Sequence, residues 1–393
     1  MPQAADTVLP PSARTSPLSL ALGGACALAA AMGLGRFVYT PILPSMVEAL
    51  GLAKTEAGLI ASANFAGYLL GTLAVAVPRL PGPRLAWLHG SLAVVALSML
   101  GMAAAPGMPG FLALRFVAGF AGAFVLVLGS TVVIGGLARM AGLAWAALHF
   151  AGIGTGIALS AVVVPSLHAS GVDWRGQWLA AGLIAAALLV PALVLIRDGE
   201  DLDPARGGET RLRGAVGFTL AYGLCGLGYS VLGTFLVAMV RSMQDGPRLE
   251  TLSWLTVGLA AVPSVWLWGV AGRRWGVRRA MAVASLIQAA GTSAGVLWPS
   301  LPGVLSASAF LGGTFVGITA LGFTATQRLA PEPRRRVNAV ISAAFGAGQM
   351  IGPLLAGVLA DRTQSFVAPT LLAAGASLVA ALILLAQRGA DRV

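Results

Sequence analysis

Charged side chains make up only 10% of this 393-residue chain, against about 25% in ordinary soluble domains. That shortage excludes a water-facing surface over most of the molecule. Carboxylates are placed as well as counted: all fourteen fall in loops, tails or end turns of apolar stretches, as Glu48, Glu56, Asp173 and Asp361 do. No apolar stretch carries an interior acid. With only three histidines and no HExxH pattern, a convergent set of nucleophile, base or metal ligands is hard to assemble. No GxxxxGK[ST] loop appears, which argues against ATP-driven work. Cys26 and Cys225 both sit inside apolar stretches without metal-ligand spacing and read as small packing residues. No metal or cofactor is expected. A cleavable signal is not expected either, because the first apolar run starts near Leu18 and outlasts the roughly 7 to 15 residues of a signal core.

What is present is hydrocarbon. Hydrophobic residues reach 57%, mean hydropathy is +0.86, and there are 52 glycines. Runs of about 20 apolar residues are long enough to cross a bilayer as helices, and glycine lets such helices approach closely. The runs predict an all-α membrane protein with twelve transmembrane helices near 18–47, 55–77, 85–105, 110–137, 141–167, 176–196, 214–240, 251–271, 280–298, 303–327, 338–360 and 366–386. The formal net charge of +11 follows this layout. With the N-terminus in the cytoplasm, 18 basic residues fall on that side and five outside, while Arg36 and Arg115 lie within spans. Basic residues therefore report orientation, and nucleic acid drops out as a partner. The expected address is a bacterial inner membrane, with both termini cytoplasmic.

The mixed-charge run "RDGEDLDPARGGETRLR", Arg197 to Arg213, reads as a solvated linker at the midpoint. It divides the chain into a tail (1–17), a six-helix half (18–196), the linker (197–213), a second six-helix half (214–386) and a final tail (387–393). The halves resemble each other. Shifted by 193, "GLGRFVYTPILPSMV" (Gly33 to Val47) falls on "GLGYSVLGTFLVAMV" (Gly226 to Val240) with seven of fifteen positions identical, and Tyr229 takes the place of Arg36. At a shift of 194, Gly152 and Gly154 fall on Gly346 and Gly348. Two parallel repeats of six helices describe a carrier with its site near the midplane.

On these residues the chain resembles the major facilitator superfamily, and "GLGRFVYTPILPSM" followed by "AGLIASANFAGYLLG" resembles its YbfB/YjiJ-type branch. The resemblance implies two parallel six-helix halves, alternating access and no enzymatic step. "RFVAGFAGA" is similar to the superfamily's span-four arginine motif, with Arg115 on its arginine and Ala118 in place of glutamine. "GVAGRRWGVRR" resembles the second copy of the cytoplasmic gating loop, which implies gating by Arg273, Arg274, Arg278 and Arg279; Arg273 replaces the usual aspartate. The first copy, "GTLAVAVPRLPGPR", is degenerate. "GAGQMIGPLLAG" in span eleven is similar to the antiporter glycine-proline pattern, but span five lacks it, so transport direction stays open.

Arg36 is a fixed charge in an apolar stretch, and such charges mark function by default. Two placements are open for it: a polar cavity, or the outer interface reached by snorkelling, with Pro41 and Pro44 marking a bent outer end. In the cavity reading it binds an anionic group, which guanidinium matches bidentately. Tyr39, Asn64, Tyr68, Tyr222, Tyr229 and Gln349 are the candidate solute-binding partners. For proton coupling the candidates are His149, the one titrating group in a span interior, and Arg115; a packing role competes for both. Taken together the residues describe a secondary transporter of a small organic solute, with an anion as the simplest cargo, the proton as candidate coupling ion and the monomer as working unit. A membrane-embedded enzyme and a non-transporting sensor or scaffold are the competing readings.

Overall fold

A computed structural model describes residues 16–75, 81–197, 215–241, 243, 246–329 and 335–387. Every regular element among the described residues is a helix, with no strand among them. Among the described residues eleven helices are long and apolar enough to cross a membrane, and a bent pair makes a twelfth span. In order they are Pro17–Leu50, Lys54–Val75, Arg84–Met102, Gly107–Arg139, Ala146–Ala169, Trp174–Leu195, Ala215–Arg241, Gly246–Ala261 with Ser264–Trp275, Val277–Leu297, Leu301–Leu329, Arg335–Thr363 and Val367–Ala386. They are called spans one to twelve below. The start of span one and the end of span twelve therefore lie at one end of the bundle, called the terminus end; the opposite end is called the far end. The tail 1–15, most of the linker, the last six residues and 76–80 of the degenerate loop lie outside the described residues.

Two spans depart from the continuous helices that hydropathy predicts. Span eight bends by 45° between Ala261 and Ser264. Pro263, with no N–H to give and a ring that crowds the preceding turn, sits at that bend and explains it. Span one is broken near its middle, where an α-helix ends at Leu28, a π-helical stretch covers Ala29–Leu34, and a turn at 35–38 leads into Tyr39–Leu50. Its repeat partner, span seven, runs unbroken over Ala215–Arg241 and carries no proline.

Packing follows the duplication. Span two lies on span four, and span eight lies on span ten; span five lies on span one, and span eleven lies on span seven. Two apolar cores result, one drawn mostly from residues 20–196 and the other mostly from 218–384. The halves meet along three seams: span two against eleven, five against eight, and the second segment of span one against seven. Close approach needs glycine in these seams. A Cβ on Gly258 of span eight would collide with the backbone of Ala158 in span five.

Candidate functional site

The break in span one is built by its prolines. Pro41 cannot donate to the carbonyl of Phe37, and its ring crowds that carbonyl, four residues back. Thr40 takes the Phe37 carbonyl instead, through a tighter bond of 3.2 Å. The carbonyls of Gly35 and Arg36 are thereby left without their usual helical donors, deep in apolar surroundings where an unpaired carbonyl is costly. Arg115 of span four supplies both: Nη1 donates to the Gly35 carbonyl at 2.8 Å and Nη2 to the Arg36 carbonyl at 3.0 Å. The buried Arg115 is therefore a clasp on the broken helix, its charge covered by the rings of Tyr39 and Trp178.

The side chain of Arg36 leaves this clasped turn toward the other half. It is only 7% exposed, so in the closed structure it is packed inside the bundle. Its guanidinium carbon lies 4.4 Å from the ring centres of both Phe65 and Tyr68 in span two. Nη2 donates to Oε1 of Gln349 in span eleven at 2.6 Å. Nε is buried and has no partner. Thus one cation is held by aromatic faces, the Tyr68 hydroxyl and a neutral amide. Among the described residues no carboxylate faces it.

From the second half come Tyr229, Tyr222, Phe345 and Phe315. Tyr229 stacks on Phe315 at 5.4 Å and on Phe345 at 6.0 Å, and its hydroxyl lies beside Gln349. Tyr222 stacks on Phe345 at 4.1 Å and donates to the Thr319 carbonyl. Phe37 reaches across to Phe315 and Trp254. Thr40 donates to the carbonyl of Gly233, the residue opposite it in the repeat. Arg36, Tyr68, Tyr222, Tyr229 and Gln349 are thus brought together, joined by Phe37, Phe65, Phe315 and Trp254, which sequence reasoning did not single out as lining residues.

Other candidates lie elsewhere. Tyr39 turns away from the seam and donates to the Ala57 carbonyl at 2.8 Å. Asn64 donates to the Arg115 carbonyl at 2.9 Å, joining spans two and four. Both are engaged inside the first half. His149 is fully buried between spans one and four, with Nε2 3.1 Å from the Ser130 hydroxyl and Nδ1 against Gly24. Arg273, Arg274 and Arg279 are exposed at the terminus end. Arg278 is buried and donates to the Gln387 carbonyl at 2.8 Å, a contact within its own half. Among the described residues no cluster of metal-ligating side chains exists.

The far end is closed by two polar latches between the halves. In one, Asp361 at the end of span eleven accepts from the backbone N–H groups of Lys54 and Thr55 and from the Thr55 hydroxyl, at 3.1, 2.7 and 2.6 Å. A carboxylate of the second half so caps the N-terminus of a helix in the first. In the other, Arg241 of span seven bridges Glu48 at 3.0 Å and Glu250 at 3.3 Å, with His168 of span five 3.3 Å away. His168 also meets the Ser45 hydroxyl of span one at 3.4 Å.

A family model described as "Uncharacterised MFS-type transporter YbfB" matches residues 28–385. No curated protein matches in sequence. Solved structures share the fold at low identity. A point mutant of the nucleoside transporter NupG aligns with a TM-score of 0.70 and 13% identity, over 95% of this chain and 100% of that one. NupG itself gives 0.66 and 14%, over 94% and 98%. A bacterial homolog of the human lysosomal transporter Spinster, in an inward-facing and unoccupied conformation, gives 0.67 and 15%, over 96% and 100%.

Proposed function

The chain belongs to the major facilitator superfamily, in the family of the YbfB-type transporters, and on that premise we propose that it carries a small organic anion by alternating access, with Arg36 as the anion anchor. It is a membrane transporter and not an enzyme. The observation that carries the anionic cargo is the setting of Arg36: buried between the halves and faced, among the described residues, by rings, the Tyr68 hydroxyl and the Gln349 amide, with no acid. Charge-assisted bonds to a carboxylate or similar group would supply the missing countercharge. The site draws on both halves of one chain, which favours the monomer as the working unit.

The arginine bias supports an orientation with the terminus end in the cytoplasm, and the proposed bilayer is a bacterial inner membrane. The far end is then the outer face, and the two latches hold it shut while cargo exchanges on the cytoplasmic side. Arg273, Arg274, Arg278 and Arg279 lie at the opposite end, where the cytoplasmic gate forms as the halves rock. The proton is the proposed coupling ion. Its candidate carriers are His149 with the neighbouring Ser130 hydroxyl in the first half, and His168 with Glu48 and Glu250 in the outer latch. Arg115 supports the site by holding its backbone.

Uptake of organic anions into proteoliposomes tests this reading. Wild-type protein should give saturable flux, and Arg36→Gln should weaken binding by about 10- to 100-fold, the loss expected for one charge-assisted pair of roughly 1.5–3 kcal/mol. Unchanged affinity in Arg36→Gln would remove the arginine from the site. Saturable binding without flux under any imposed gradient would instead favour a sensor on a transporter frame.

A further inference from the structure

Beside Arg36 the seam contains a narrow apolar hollow, too tight in the closed structure to admit a water molecule. Phe37 and Trp254 line it with Tyr229 and Phe315, and Ile157 and Leu311 are among the aliphatic residues of its walls. Phe37 and Tyr229 belong to both places: the Phe37 ring centre lies 5.8 Å from the Arg36 guanidinium carbon, and Tyr229 lies close enough to feel that charge. The anchor and the hollow are therefore two parts of one site. In the closed seam the rings meet one another, so an occupant enters only when the halves part.

Three features define the cargo. First, among the described residues the anchor is one cation, Arg36, without an acidic partner. Arg115 is the next buried arginine, and two of its donors are committed to backbone carbonyls. A multiply charged anion would carry uncompensated charge into an apolar seam, at high cost. Second, among the described residues no carboxylate lines the site, so the ammonium group of an amino acid would have no acidic partner there. Third, the walls of the hollow are mostly rings and aliphatic chains, and the side-chain polar groups nearby are few: the Tyr68 and Tyr229 hydroxyls and the Gln349 amide, with the Thr40 hydroxyl and Trp254 Nε1 already donating to Gly233 and Ser160. A polyhydroxylated body would lose more hydrogen bonds to water than it regains, whereas a flat ring offers faces for stacking. We propose that the cargo is an aryl monocarboxylate, its carboxylate on the unused edge of Arg36 and its ring between Phe37, Tyr229, Trp254 and Phe315. This deepens the anion reading and rests on it.

The experiment is equilibrium binding to the full-length purified protein in lipid nanodiscs, with five probes: benzoate, benzamide, acetate, phenylalanine and citrate. Benzoate should bind at least about tenfold more tightly than benzamide, which loses the charge, and than acetate, which loses the ring. Phenylalanine and citrate should bind more weakly than benzoate. Phe315→Ala should weaken benzoate while leaving acetate unchanged, and Arg36→Gln should abolish the preference for benzoate over benzamide. If acetate, citrate or phenylalanine binds as tightly as benzoate and loses affinity in Arg36→Gln, the aryl class is overturned and the anion anchor stands. If benzamide equals benzoate and Arg36→Gln changes nothing, the anchor falls and the class falls with it. Absence of binding by all five to protein with an intact thermal transition also overturns the class.

Discussion

Two arginines in apolar helices have opposite standing here. Arg115 donates to two carbonyls that would otherwise be orphaned, and rings cover its charge. The Nε of each is buried without a partner, but Arg36 reaches into the seam between the halves and gives Nη2 to the neutral amide of Gln349. Their substitutions should therefore separate stability from function. Arg115→Ala should destabilise by about 2–4 kcal/mol, because two charge-assisted bonds go and two carbonyls stay buried. Its thermal midpoint should drop, and binding should fall with it. Arg36→Met removes an incompletely satisfied buried charge, so its thermal midpoint should hold or rise while anion binding is lost. A lowered midpoint in Arg36→Met would mean that the cation serves packing. Sequence made Arg36 conspicuous because a charge in an apolar run stands out. Phe37, Phe65, Phe315 and Trp254 were not conspicuous, since an aromatic that lines a site looks the same in a sequence as one that packs a core. Tyr39 shows the converse. Three residues on from Arg36, it shares that residue's face on a regular helix, but the break turns it toward Ala57.

At the scale of the element, the twelve apolar runs were legible because a ~30 Å hydrocarbon layer fixes the length of a helix that crosses it. The irregularities were less so. Pro41 announces a disturbance, yet the disturbed stretch, 29–38, lies wholly before it, and the donor that repairs its last turn comes from span four. That partner is a tertiary fact with no local signature. Glycine has the same ambiguity. Gly258 and Gly90 are both helical glycines, but a Cβ on Gly258 meets the Ala158 backbone across the seam and one on Gly90 meets nothing. Gly258→Ala should wedge spans five and eight apart, and its transport rate should fall at least about tenfold as the closed state loses a contact that cannot relax. Gly90→Ala should transport normally and gain up to about 1 kcal/mol of stability, because alanine leaves the unfolded chain less freedom. Equal transport in the two variants would show that the seam accommodates a methyl group and does not govern closure.

For the whole molecule, the duplication and its asymmetry matter together. Arg36 and Tyr229 occupy equivalent places, and so do Thr40 and Gly233, which touch across the seam. One half supplies the fixed charge on a broken helix, and the other supplies rings on a continuous one. The rocking of such halves is governed by contacts that exist in one state only. Asp361 is the clearest of these, because its three hydrogen bonds all reach the other half and would be exchanged for water on opening. Glu48, the partner of Arg241, is exposed, and that pair is weaker in salt. Asp361→Asn keeps the shape but weakens the cap on span two. A loss of about 1.4 kcal/mol from the closed state would raise the population open at the far end roughly tenfold. A cysteine at Thr40, in a background with Cys26 and Cys225 replaced by alanine, reports that population to an impermeant thiol reagent added from the far side. Its labelling rate should rise about tenfold in Asp361→Asn, and rise less in Arg241→Gln at high salt. Equal rates in Asp361→Asn and its parent would mean that the apolar seam alone keeps the far end shut, with the latch merely riding on it.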